Sequence, residues 1–135
     1  MDFARSIVLL FLKSFMKNSH ELGVWGEIQA ARFLWKKGYR LLERNYRSRY
    51  GEIDLILENE VYLVFAEVKL RKSARYGTPA EAVTAKKQEK IRLTALEYLQ
   101  LHETDKQPRF DVLELYAPEG KNTNPIPIHH IVNAF

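Results

Sequence analysis

No cysteine occurs in this chain of 135 residues. Its absence excludes disulfides and thiolate-held metals, and it suits a cytoplasmic home. A cation here would rest on oxygen or imidazole ligands, which points to magnesium or manganese before zinc. Long apolar runs are missing as well. The stretch Ile7 to Leu12 is apolar but bounded by Arg5, Lys13 and Lys17, far short of the roughly 20 residues that cross a bilayer. No small-residue cleavage site follows it, which argues against a secretory signal. Residues 1–17 therefore read as an N-terminal amphipathic helical extension that contacts the domain, a protein partner or a membrane surface. Repeats, low-complexity segments and linkers are absent too, so residues 18–135 form one domain.

Charge is present in modest excess, +4 overall, but it is unevenly placed. From Lys36 to Arg49 six Lys/Arg face one acid, Glu43; from Lys69 to Arg92 eight face Glu81 and Glu89. Beyond Glu97 the balance turns acidic. Such a basic half suits a polyanion bound through its phosphates, although a solvated cationic face would look the same. Arg44 and Arg47, interleaved with Tyr46 and Tyr50, and Arg71, Lys72 and Arg75, beside Tyr76, could grip a nucleic-acid backbone and stack on an unpaired base. Lys87 and Lys90 could touch phosphate from a helix, or snorkel from its edge.

The order of elements reads α-β-β-β-α-β-β. Asn18 with Glu21 forms a capping box for a helix over 21–37, with an apolar stripe of Leu22, Trp25, Gly26, Ala30, Phe33 and Leu34 and a stop at Gly38. Glu27 flanks that stripe. Gly23 and Gly26 lower helix propensity, which predicts close backbone approach. Three strands follow, over 39–46, 52–57 and 61–69, the last two joined by a tight turn at Asn59-Glu60. The third is apolar on both faces, as a covered central strand should be. Thr78-Pro79-Ala80-Glu81 predicts a helix start, continuing to Leu101. Strands over 108–116 and 126–132 close the chain. His129 and His130 are adjacent on the last and point oppositely, which disfavours a shared metal.

Into these apolar strands are set Asp54, Glu67 and Lys69. Unpaired charge is costly to bury, so acids in apolar strands need a reason. Strand alternation puts Glu67 and Lys69 on one face and Val68 on the other. Asp54 and Glu67 can converge if their strands pair in that register, with the Val68 carbonyl as a further oxygen and Glu27 arriving from the first helix. At about 4 Å and an effective dielectric near 20, each pair of such carboxylates repels by roughly 4 kcal/mol. The cluster therefore predicts metal binding or raised carboxyl pKa values. Magnesium or manganese held there would activate water against a phosphodiester. Lys69 would orient or deprotonate that water, or neutralise developing charge. An ordinary Glu67–Lys69 ion pair, with Asp54 capping a turn, is the structural alternative.

The order Glu27, Asp54, Glu67-x-Lys69 over α-β-β-β-α-β resembles the PD-(D/E)xK nuclease superfamily. More narrowly, Gly51-Glu52-Ile53-Asp54-Leu55-Ile56, Phe65-Ala66-Glu67-Val68-Lys69-Leu70-Arg71, Gly77, Ala82-Val83, Lys87-Gln88-Glu89-Lys90 and Arg109-Phe110-Asp111-Val112 are similar to the YraN family of small bacterial proteins. The resemblance covers about residues 21–135. Ile53 stands where the superfamily motif has Pro, which that superfamily tolerates. It implies a restriction-endonuclease-like αβββαβ core, a central mixed sheet flanked by helices. It also implies Mg/Mn-dependent hydrolysis of DNA, branched or repair intermediates included, with Asp54, Glu67, Val68 and Glu27 at the metal and Glu27, Asp54, Glu67 and Lys69 as the catalytic set. A homodimer would suit a two-strand substrate. A non-catalytic nucleic-acid-binding or adaptor protein that keeps the fold is the rival expectation.

Overall fold

The computed structural model describes residues 21–72 and 83–135. The extension 1–17, Asn18, Arg75 and the Thr78-Pro79-Ala80-Glu81 helix start lie outside the described residues. Helix α1 spans Glu21–Lys36, strand β1 Arg40–Arg47, β2 Glu52–Glu58 and β3 Tyr62–Arg71. Helix α2 spans Ala85–Leu101, β4 Gln107–Tyr116 and β5 Ile128–Ile131. The strands form one sheet in the order β1-β2-β3-β4-β5. All neighbours are antiparallel except β3 and β4, which run parallel over ten paired positions. The sheet is mixed, with β3 at its centre, and the core is restriction-endonuclease-like.

A parallel pair needs a crossover, and α2 supplies it. Alternation then sorts the core into two layers. Leu55, Leu57, Val64, Ala66, Leu113 and Leu115 pack with Val24, Ala30, Ala31 and Leu34 of α1. Ile56, Leu63, Phe65 and Val112 pack with Ile91, Ala95 and Tyr98 of α2. Helices thus cover both faces, which explains why β3 is apolar throughout. Asn59 makes the β2–β3 turn: its Oδ1 accepts from the N–H groups of Val61 and Tyr62 at 2.9 and 2.7 Å.

Helix α1 ends at Gly38, whose φ of +95° is the left-handed conformation glycine tolerates. The Tyr39 N–H then returns to the Leu34 carbonyl at 3.0 Å. The buried face of α1 is rotated from the expected stripe. Val24, Gly26, Glu27, Ala30, Ala31 and Leu34 are buried, while Leu22 and Trp35 are 41% and 44% exposed. Gly26 makes no unusually close approach, since a Cβ there would sit 3.7 Å from Leu70. Helix α2 begins later than expected. Thr84, in extended conformation, caps it by accepting from the Lys87 N–H at 3.2 Å, so Val83 and Thr84 precede the helix. Val83 instead joins the core.

On the α1 face lies a buried polar network. Arg109 donates twice to Asp111, at 2.9 and 2.8 Å, and once to the Tyr39 hydroxyl at 2.7 Å. Asp111 also meets His130 Nε2 at 2.7 Å and the Asn133 N–H at 3.0 Å. Burial works against the Asp111 charge, but these partners hold its pKa below the usual carboxylate value. Asp111 is thus an organiser of β4 and β5. His130 points into it while His129 does not, in keeping with the opposed directions expected of neighbours on a strand.

Candidate metal centre and cleft

The β2–β3 ladder stops at Leu55 opposite Ala66. One step further along the same register lie Asp54 and Glu67, where the strands separate. Asp54 Oδ2 takes the N–H of Val68 at 2.9 Å in place of a ladder bond. A strand residue's N–H and C=O leave toward the same neighbour, so Val68 offers its carbonyl on that edge. Its side chain packs on the α1 layer. Asp54 and Glu67 share the α2 face and line one cleft of about 280 Å³ with Gly51, Glu52, Lys87, Lys90 and Ile91. A Cβ at Gly51 would lie 3.5 Å from Lys90 Cβ, so the β1–β2 turn packs directly on α2. Ser48 and Thr94 join the same two elements through their hydroxyls at 3.0 Å.

The electrostatics follow from this placement. Burial, then the charge of Glu67, pushes the Asp54 carboxyl up to about 8, although the Val68 N–H opposes the shift. Glu67 Oε1 is met by two ammonium groups, Lys87 at 2.5 Å and Lys69 at 3.4 Å. Burial and the neighbouring Lys87 lower the Lys69 pKa. Burial acts on Lys87 the same way, but the hydrogen bond and charge of Glu67 prevail and raise it.

Glu27 reaches the neighbourhood from α1 and is held by Arg44 at 2.7 Å. Burial lifts its pKa to about 7 against the pull of Arg44, with Glu52 and Glu67 adding to the rise. Asn45, opposite Asp54 in the register, adopts a left-handed φ of +50°. With its amide set to suit its neighbours, it donates to Glu27 Oε2 at 3.1 Å and Glu52 Oε1 at 2.9 Å. Sequence reading missed Asn45 and Glu52. The signals were there: Asn is rare in strands and tolerant of left-handed backbone, and Glu52 is two residues from Asp54 on one strand.

The expected residues divide into groups. Asp54 and Glu67 share the cleft, with Lys69 on Glu67. Glu27 is committed to Arg44. No group of three His, Asp or Glu side chains among the described residues is arranged as a ready metal site. Arg44 was expected to grip nucleic acid, but its side chain is only 3% exposed and paired inward. That is a correction, caused by irregular backbone: a bulge between Leu41 and Glu43, with left-handed Asn45 beyond it, breaks the alternation of β1. Arg47 is exposed and lies 3.2 Å from Glu52. Arg71 reaches the buried Glu114 at 3.6 Å. Lys72 and Lys90 are exposed, and Lys90 lines the cleft.

Comparison with known proteins gives the chain a family. Residues 26–115 match the model described as uncharacterised protein family UPF0102. The chain is 45% identical over 123 residues to a UPF0102 protein of Syntrophomonas wolfei, covering 87% of this chain and 99% of that relative. A UPF0102 protein of Rhodococcus opacus is 45% identical over 121 residues, 89% of this chain and all of the relative. One from Symbiobacterium thermophilum is 49% identical over 105 residues, covering 76% and 89%. The chain belongs to the UPF0102 family, the YraN family of the restriction-endonuclease-like superfamily.

Proposed function

We propose that this protein is a divalent-metal-dependent nuclease that hydrolyses DNA phosphodiesters. The observation that carries the reading is the pair of carboxylates, Asp54 and Glu67, lining one cleft where β2 and β3 part. The donors suit a hard cation. Magnesium commonly takes one or two carboxylates and keeps several waters, so a third acid is not required. Asp54 and Glu67 would hold it, with the Val68 carbonyl on the same edge and Glu27 as an auxiliary acid once released from Arg44. When bound, the cation supplies charge neutralisation at phosphorus and an activated water.

The chain's own groups do the rest. Asp54, desolvated by burial and crowded by Glu67, would gain from a positive neighbour, which supports a cation there. Lys69 holds its proton loosely and is suited to orient or deprotonate water, or to meet the charge that develops on the phosphate. Lys90 at the cleft, and Lys72 and Arg47 beyond it, offer exposed charge for phosphates. The mixture of charges lining the cleft, three acids and two lysines, suits in-line hydrolysis of a polyanion.

A second reading has its own observation. Lys87 already neutralises Glu67 at 2.5 Å, which favours a non-catalytic nucleic-acid-binding protein that retains the fold. Cleavage assays with manganese on branched, linear duplex and single-stranded DNA separate the two. The nuclease should cut at least one substrate, and Asp54→Ala and Lys69→Ala should abolish cutting while binding persists and weakens with salt. Absence of cleavage on every substrate, together with no manganese uptake by calorimetry, leaves the binding protein.

A further inference from the structure

Helix α2 opens with its charges the wrong way round. A helix N-terminus carries partial positive charge and favours acids, yet the first turn of α2 holds no acid, and Lys86 and Lys87 stand there. Lys90 follows one turn later. The cap makes the placement firm, because the Thr84 hydroxyl holds the Lys87 N–H at 3.2 Å, and Gln88 Nε2 donates to the Val83 carbonyl at 2.9 Å. A cationic end of this kind needs an anion. Within the chain, the anion it finds is Glu67, whose Oε1 receives the Lys87 ammonium at 2.5 Å, closer than Lys69 at 3.4 Å.

We infer that Lys87 is an ion latch: with no polyanion bound it neutralises Glu67, the carboxylate that would hold a divalent cation, and a nucleic-acid phosphate entering the cleft draws it off. The inference rests on the nuclease reading of the site and adds its regulation. A divalent cation on the Glu67 carboxylate would lie beside the Lys87 ammonium, and the two like charges repel. Cation uptake therefore favours release of the Lys87–Glu67 pair, and the displaced ammonium is left half-buried at the positive end of α2. A phosphate removes that difficulty by giving the ammonium a new partner at the cleft mouth, where Lys90 already adds positive charge. Metal and substrate then bind each other's preferred state, so each strengthens the other by the same factor. The protein holds little metal while idle and acquires it on nucleic acid.

Manganese binding to the full chain, followed by calorimetry or by loss of the free-ion paramagnetic resonance signal, tests this without needing turnover. Three proteins are compared: wild type, Lys87→Met, and Lys90→Met, which removes the same charge from the same cleft without touching the Glu67 pair. If the latched state dominates at about ten to one, wild type binds about tenfold more weakly than its open form would. The expected result is a gain of about tenfold for Lys87→Met and a much smaller gain for Lys90→Met. Equal gains in the two variants would mean general electrostatics and overturn the latch. So would equal affinity of wild type and Lys87→Met. A phosphorothioate-linked DNA oligonucleotide should then strengthen manganese binding to wild type and do so less for Lys87→Met; no difference between them overturns the coupling. Circular dichroism checks that each variant is folded. Manganese uptake with the expected ranking but no cleavage would defeat the nuclease reading and keep the latch, whereas no uptake by any of the three would defeat both.

Discussion

Asp54→Asn should make the metal-free protein more stable at neutral pH. A buried acid whose folded pKa is raised keeps its proton longer in the native state than in the unfolded chain. Its contribution is favourable at low pH and is lost as pH rises through the folded value. For Asp54 the ordinary value is 3.8 and the folded one about 8. Between 3.8 and pH 7 a little over three units separate the two states, at about 1.36 kcal/mol per unit. The ceiling on the cost of the charge is thus about 4 kcal/mol at pH 7. Asparagine avoids that cost, and its amide oxygen can still accept the Val68 N–H. Thermal unfolding in chelator, from pH 4 to pH 9, is the assay. At roughly 3 °C per kcal/mol for a chain of this size, the variant should exceed wild type by several degrees at pH 7. The difference should shrink toward pH 4 and level off above pH 8; on the proposed function it should also reverse when manganese is added, because wild type would then gain the larger binding energy. A variant less stable than wild type at pH 7, or a difference that ignores pH, would refute the reasoning and return Asp54 to a structural role.

Arg44→Met should destabilise by about 3 kcal/mol in urea unfolding, because Glu27 is left buried without its cation. The loss should be larger at pH 8 than at pH 6, since Glu27 takes up a proton below about 7, and Glu27→Gln in the same chain should recover most of it. Asp111→Asn should cost about 3–5 kcal/mol by leaving Arg109 unpaired. In wild type, the Asp111 contribution is present above the unfolded carboxyl pKa and is lost only as pH falls through its lowered folded value, so the difference should fade on the acid limb alone. Gly38→Ala places a Cβ at φ +95° and should cost about 1 kcal/mol, read as a lower urea midpoint with an unchanged slope.

The order of elements along the chain and the central place of β3 were legible because apolar alternation and two-faced burial write themselves directly into sequence. The common face of Glu67 and Lys69 followed from a period of two. The inward turn of Arg44 did not, because a bulge and one left-handed residue reset the alternation of β1, and neither can be counted from residue types. The start of α2 was placed at Thr78 when Thr84 also carries a capping hydroxyl; propensity alone cannot choose between two good caps. The buried face of α1 departs from the expected stripe because Leu22 and Trp25 outweigh Val24 and Ala31 in apolar area, whereas close packing of the helix on the sheet brings the smaller side chains inward. The hold of Lys87 on Glu67 spans twenty residues and a crossover, a distance over which no local pattern reports.

The parallel pairing of β3 with β4 has a consequence for how the cleft comes into being. Every residue assigned to its chemistry, from Glu27 to Lys90, lies upstream of β4. Yet β3 is a sheet edge until residues 107–116 close beside it, and that closure spans the whole length of α2. A ribosome that has released the chain only as far as Leu101 has made all the ingredients and none of the geometry. The cleft should therefore emerge late and all at once during synthesis, and, if the proposed function holds, fragments ending before β4 should neither capture a cation nor nick DNA.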